Sequence, residues 1–366
     1  MLIAYQAEPN IRTRLRSDNE TGSFGGESKV PIAKSRIEWV DIGKYICIMF
    51  VIISHLESVT PVLTAFYSPF FLTLFFFLSG YVYKQPKSFE EHLKKKFRGL
   101  FVPWLIFSHL NIILSMLITL KGERNIPQEF VLNLLQIRGI GDGIWFVAAL
   151  FVAFIPFFYV NQIKKTSTRL FTFGVIAVIE ELYIYFFPAD FWPWGSPALP
   201  WHLEYIGYAM FWMALGYCFK TEWEKTFDDK NTVRNRFCIS LLYLAMIIVP
   251  LFFEQNVITV LLSYITSIVG IIFIISYCKV LKTNWYISFV GANTLIYFAL
   301  HGKVFAVIEK VLQVLASSLY SYCLGNIFLS SVLAIIVGFL TSVILIVPAY
   351  IINRWFPWMI GRSAAR

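Results

Sequence analysis

WVDIGKYICIMFVIISHLESV, residues 39–59, decides the fold. It is 21 residues long and apolar on every side. At about 1.5 Å per residue it matches the hydrocarbon thickness of a bilayer, about 30 Å. A single segment of this length satisfies its own backbone in lipid only as a helix. Nine further runs of comparable character follow: 62–83, 100–120, 144–160, 170–187, 205–219, 237–253, 257–278, 285–305 and 327–353. The expectation is an all-α, polytopic transmembrane helix bundle with about ten spans. Bulk composition agrees. Of 366 residues, 58% are hydrophobic and 14% charged, against about 25% charged in soluble domains. The 36 Phe, 19 Tyr and 11 Trp suit a lipid-facing body with aromatic belts.

Lys and Arg set the orientation. With the N-terminus inside, 25 of the 31 basic residues fall in inside segments. Lys121, Arg124, Arg138, Lys303 and Lys310 fall outside, and Lys44 lies within the first helix. That bias predicts cytosolic N- and C-termini. The domains read as a flexible cytosolic extension at 1–35, a transmembrane domain at 36–356 and a cytosolic tail at 357–366. The net charge of +9 is spread between apolar runs and not gathered on one face, which speaks for anionic membrane lipids and against nucleic acid. The five cysteines form no CxxC pair, so neither a disulfide framework nor a metal site is expected. The first apolar run starts too far in for a cleavable signal peptide. Segment 188–203, PADFWPWGSPALPWHL, lacks Lys and Arg and is expected at the outer interface. Segment 308–322 has helical apolar spacing and is expected to lie flat on the membrane or re-enter it.

Ionisable side chains inside spans cost roughly 2.5–3.5 kcal/mol each at the bilayer centre, which makes them functional candidates. The first helix carries Asp41, Lys44 and His55. Lys44 and His55 are eleven residues apart, about three turns, so they share a face roughly 16 Å apart. Asp41 lies one turn below, and as an (i, i+3) neighbour it also has a plain reading as an ion pair with Lys44. Glu57 follows at the outer lip on another face. His301, near the outer end of the ninth run, lies at the depth of His55, so the two imidazoles are expected to share one cavity. Glu180 and Glu181 fall mid-way along the fifth run, where one is expected to meet Lys44 or a His, or to be protonated by burial. Lys95 and Arg98 put two cations at the mouth of the third helix, suited to the phosphates of a nucleotide-like cofactor or merely part of the inside charge. His92, His109 and His202 carry no pattern. The glycines at 139, 141 and 143 follow no strand and read as a loop.

Six stretches together resemble the membrane acyltransferase type 3 family, in its fucose 4-O-acetylase-like polysaccharide O-acetyltransferase branch. They are RIEWVDIGKYICIMFVIISHL (36–56), with its Lys44-x10-His55 spacing, LFFFLSGYVYK (74–84), the basic loop before Val102-Pro103-Trp104, WFVAALFV (145–152), FWMALGYCFK (211–220) and FVGANTLIYFALH (289–301). They occur in family order over residues 36–301. Relatives often carry a His just before FFFLSGY, where this chain has YSPFFLTL, so a contact made there does not carry over. No soluble SGNH-type domain follows the last run, and a stand-alone form is expected.

The resemblance implies a short acyl-CoA, usually acetyl-CoA, as donor, and a polysaccharide or lipid-linked sugar as acceptor, in a bacterial plasma membrane. It places coenzyme phosphates at Lys95, Arg98 and Lys44. His55 becomes general base or acyl carrier, with His301 and Lys44 beside it. Ser79, Asn293, Asp41 and Glu180 are the candidates for oxyanion or substrate contacts, and no metal is called for. A saccharide or lipid exporter and a membrane sensor or anchoring subunit are the competing classes. Ten helices with buried charges suit an exporter equally well.

Overall fold

The computed structural model describes residues 36–118, 125–141, 143–188, 191–248 and 257–362. The expected extension at 1–35, the loop cations Lys121 and Arg124, and residues 249–253 at the end of the seventh run lie outside these. From Ile37 onward the chain forms one compact unit.

Among the described residues the regular elements are all helices, and the β-pairing is one isolated bridge between Ile137 and Ile140. The α-helices are α1 (Glu38–Ser54), α2 (Pro61–Tyr67), α3 (Phe71–Tyr81), α4 (Phe89–Lys96), α5 (Val102–Ile118), α6 (Ile126–Leu135), α7 (Trp145–Val160), α8 (Thr166–Phe186) and α9 (Ile206–Cys218). They continue with α10 (Glu224–Lys230), α11 (Val233–Ile248), α12 (Val257–Cys278), α13 (Trp285–Ala292), α14 (Thr294–Leu315), α15 (Ser317–Leu324), α16 (Ile327–Ile344) and α17 (Ile346–Trp355). Among the described residues three helical stretches are long and apolar enough to cross a membrane: Pro61–Tyr81, Phe89–Met116 and Ile327–Trp355. Trp145–Val160 and Leu262–Cys278 are shorter apolar helices.

Local chemistry sets many of the helix starts. The side chains of Thr60, Ser88, Asn125, Asn284 and Asn326 each accept a backbone N–H of the first turn that follows, meeting donors that have no partner within the helix. The basic loop before the third run is itself helical from Phe89. It passes into α5 through a π-turn at Phe97–Phe101, a wide turn often found at functional sites. Residues 308–315, expected to lie flat, continue α14 directly.

α1 is the central helix, packed against α3, α12, α13, α14 and α16. Close approaches hold the bundle. A Cβ on Gly80 of α3 would fall inside the Met213 carbonyl of α9, and one on Gly216 of α9 inside the Phe77 carbonyl of α3. Gly291 meets the Asp41 backbone of α1 in the same way. Small residues let helix backbones touch where lipid supplies no hydrophobic drive between helices.

α7 has 16 residues, so it is about 24 Å long, less than the roughly 30 Å core, whereas α9 runs on through a π-turn at Phe219–Trp223 into α10. Their first turns begin inside the bundle. Phe146 of α7 touches Phe75 and Phe76 of α3 and Phe298 of α14. Trp201, just before α9, packs on Phe101 and Trp104. Irregular backbone at 136–141, 143–144 and 196–205 leads down to them. All four non-glycine residues with left-handed φ among those described lie there: Gln136 (50°), Ile144 (62°), Trp201 (60°) and His202 (53°). Bulky side chains resist this conformation.

Candidate active site

His55 is the C-cap of α1, and its Nδ1 lies 2.8 Å from the Val51 carbonyl oxygen one turn back. Ser54 Oγ is 3.1 Å from the same nitrogen. On α14, His301 Nδ1 lies 2.8 Å from the Phe298 carbonyl and 3.2 Å from that of Tyr297. A carbonyl only accepts, so Nδ1 of each ring carries the proton and Nε2 presents its lone pair. The two rings lie 5.0 Å apart between centroids, at 68°. His55 is exposed at the rim, whereas His301 is 8% exposed. One imidazole is therefore open and the other buried beside it.

A hydrogen-bonded acidic cluster stands over this pair. The Glu57 backbone amide donates to Glu309 Oε1 at 3.0 Å, while Gln313 and Tyr320 donate to Glu57 Oε2 at 3.2 and 2.9 Å. Burial, and after it the Glu57 carboxylate, hold Glu309 above its ordinary range against the lowering effect of the amide bond. Lys303, one step beyond the imidazole, donates to Ser115 Oγ of α5.

A second locus lies where α3, α4 and α7 meet. A cleft of about 350 Å³ is lined by Ser79, Lys84, His92, Lys95 and Lys96 among others. Lys96 Nζ stands 3.1 Å from the centre of the Phe154 ring, a cation–π contact. Ser79 Oγ donates to the Phe75 carbonyl at 2.8 Å. A row of rings joins this cleft to the imidazoles. Phe75 and Phe76, one turn from Ser79, meet Phe146 at 5.5 and 4.6 Å. Phe146 meets Phe298 at 5.8 Å, and Phe298 meets His301 at 6.0 Å.

The candidates named from sequence thus separate. His55 meets His301, and Lys95 meets Ser79. Arg98 is exposed in the π-turn and does not line the cleft. Lys44 is half-buried on α1, and Asp41 is 6% exposed where α1 crosses Gly291. Asn293 marks the break between α13 and α14. It donates to Phe289 and accepts from Asn353 Nδ2 at 2.7 Å, which ties the break to α17. Glu180 accepts from the backbone amides of Gly207 (2.8 Å) and Tyr208 (2.7 Å) at the start of α9. Glu181 accepts from Tyr264 at 2.8 Å. Neither of these bonds goes to Lys44 or a His, the pairing that was expected for one of the two acids as the alternative to its protonation by burial. Sequence reasoning passed over Lys84 and Lys96, which were read as positive-inside charge. It also passed over His202 and Glu204, whose only sign is an acid two residues from a His beside a stretch without Lys or Arg.

An all-helical bundle with apolar helices of membrane-crossing length, an imidazole pair and a cationic cleft is an integral membrane protein equipped for group transfer. A family model described as "Acyltransferase domain" (Acyl_transf_3) matches residues 37–351. The chain belongs to this family and is an acyltransferase. No curated protein and no solved structure matches it.

Proposed function

We propose that the protein moves an acetyl or other short acyl group from an acyl-CoA to a saccharide hydroxyl. The observation that carries this reading is the imidazole pair, with both Nδ1 atoms held on backbone carbonyls and both Nε2 atoms free to accept a proton. His55 Nε2 takes the proton of the acceptor hydroxyl as its oxygen attacks the thioester carbonyl. The C–S bond then breaks, and the coenzyme leaves as a thiolate that recovers the proton. A positioned His base contributes typically 10²–10⁴-fold. His301 serves as the second polar contact at the reacting atoms, and covalent carriage of the acyl group by His55 is the variant of the same scheme.

The donor's phosphates bind at Lys84, Lys95 and Lys96, with Arg98 and Lys44 as outer contributors, and Ser79 faces the entering arm. What supports this is the gathering of three lysine side chains around one cleft, joined through Phe75, Phe76, Phe146 and Phe298 to His301. The topology we infer has ten crossings, both termini in the cytosol and the imidazoles toward the outside. The positive-inside bias supports it, and a bacterial plasma membrane is its setting. Cytosolic donor and outward acceptor then meet within the bundle, and the acceptor is a lipid-linked sugar or an envelope polysaccharide of the fucose 4-O-acetylase-like type.

The test is mass spectrometry of surface polysaccharide from cells with the wild-type protein, with His55→Ala and without the protein. Acyl groups lost in the latter two, at equal membrane abundance of the variant, are the expected result. Full acylation by His55→Ala removes the base assignment. Saccharide export with no coenzyme A released makes the protein an exporter.

A further inference from the structure

We infer that Arg138 and the irregular segment 196–205 build a second, separate pocket, one that holds a neutral sugar ring through Glu204 and Arg138. The inference rests on the acyl-transfer reading for its choice of ligand, but its residues are different ones. Non-helical backbone at membrane depth is tolerated only where it is buried in protein or lines a water-filled cavity. Here it lines a cavity of about 170 Å³, with Arg138, Ser196, Ala198, Glu204 and Tyr205 in its wall. At roughly 30 Å³ per water, that is room for one sugar ring.

Glu204 in its wall and His202 beside it keep polar atoms without a hydrogen-bond partner among the described residues. Glu204 is 4% exposed, and its Oε1 has no hydrogen-bond partner among the described residues, although Oε2 accepts from the Leu199 amide at 2.8 Å. Neither ring nitrogen of the fully buried His202 has a hydrogen-bond partner among the described residues, and its Nδ1 is within ion-pair distance of Glu204 Oε1, at 3.8 Å. Buried polar atoms are nearly always satisfied, so each orphan calls for a ligand or a water. Arg138 is exposed, and its guanidinium lies over the rings of Trp145 (5.1 Å) and Tyr205 (4.8 Å), with no ion pair among the described residues.

Charge decides the ligand class. Among the described lining residues the charged groups are one carboxylate and one guanidinium, so a phosphate meets repulsion from Glu204 and an amine meets it from Arg138. A polyhydroxyl ring uses both: its hydroxyls donate to Glu204 Oε1 and accept from Arg138, and its C–H face lies against aromatic walls. The position suits an acceptor. Trp145 touches His202 at 5.5 Å and Phe146 at 6.1 Å, and Phe146 leads through Phe298 to His301. The left-handed backbone at Trp201 and His202 holds these side chains inward at a conformational cost that a binding role accounts for.

The experiment titrates the purified full chain in nanodiscs with L-fucose, D-glucose and N-acetyl-D-glucosamine, with glycerol 3-phosphate as the anionic probe, and follows tryptophan fluorescence and calorimetric heat. At least one neutral sugar is expected to bind, and the anion is not. Glu204→Gln keeps a carbonyl for the Leu199 amide and loses the charge. Arg138→Gln changes an exposed residue and tests the pocket should the first variant misfold. Each is expected to weaken sugar binding about ten- to a hundred-fold, the reach of one charged hydrogen bond, and to raise the acceptor KM with little change in kcat. No sugar binding to the wild type, preference for the anion, or unaltered binding by a folded variant overturns the pocket. Sugar binding that depends on Glu204, without any acyl transfer, leaves the pocket standing and removes the acyl-transfer reading instead.

Discussion

Replacing Glu180 is expected to damage the fold and spare the chemistry. Its two carboxylate oxygens accept the amides of Gly207 and Tyr208 at 2.8 and 2.7 Å. These are first-turn donors of α9 with no partner inside the helix, and Tyr205, the N-cap, offers no side-chain bond. The carboxylate also lies at the positive end of the helix dipole. In Glu180→Ala both amides are left unmet in a low-dielectric interior. At about 1–3 kcal/mol for each unsatisfied group, the loss is about 2–6 kcal/mol. Glu180→Gln keeps one acceptor oxygen and turns an NH₂ toward the other amide, so roughly half the loss is expected. The assay is thermal unfolding of detergent-solubilised protein, read by fluorescence-detected size exclusion beside membrane abundance. The expected order of midpoints is wild type, then Gln, then Ala, with acyl transfer per folded molecule nearly unchanged. An alanine variant that accumulates and melts as the wild type does while losing acyl transfer refutes the capping role and returns Glu180 to the reacting groups.

Lys84→Ala and Lys95→Ala are each expected to raise the donor KM up to about five-fold, the most an exposed ion pair of about 1 kcal/mol gives. Added salt should weaken wild-type donor binding more than that of the double variant. Gly80→Ala places a methyl group inside the Met213 carbonyl, where only backbone can yield. A loss of about 1–3 kcal/mol or more is expected in the unfolding assay, whereas Gly174→Ala, with nothing within 4 Å of the added carbon, should be neutral or better. Glu309 has a raised folded-state pKa, so it stabilises the fold at low pH and loses that contribution as pH rises above its ordinary value of 4.5. Glu309→Gln, which retains an acceptor for the Glu57 amide, should therefore melt higher than the wild type at neutral pH and no higher below pH ~4; equal midpoints at both pH values refute the assignment.

Hydropathy marked the apolar stretches that are helical, because burial in lipid demands continuous apolar runs and a self-satisfied backbone, and both are properties of a single segment; it did not show that the runs 62–83, 285–305 and 327–353 each hold two helices. It located their ends less well. The helix beginning at Phe89 is polar for two turns, and its capping by Ser88 is a local signal that the charges of the loop overrode. The Lys44–His55 spacing marked α1 as unusual, and equal depth suggested that His55 and His301 meet. That their rings stand 5.0 Å apart depends on α1 and α14 crossing, which no local pattern encodes.

The remainder needed the tertiary structure. Glu180 and Glu204 look alike in sequence, as acids among apolar residues. One caps α9, and the other keeps an oxygen unpartnered beside a cavity. The difference lies in which amides reach them. Likewise Lys96 is one of three consecutive lysines, and only the packing of α4 against α7 turns it onto the Phe154 ring. Composition and periodicity determine what a segment must be in a bilayer, since solvation acts on each segment separately. Partners depend on the directions in which helices of fixed length are packed, and those directions follow from close approaches such as Gly80 on Met213 and Gly291 on Asp41, set by shape across the whole bundle.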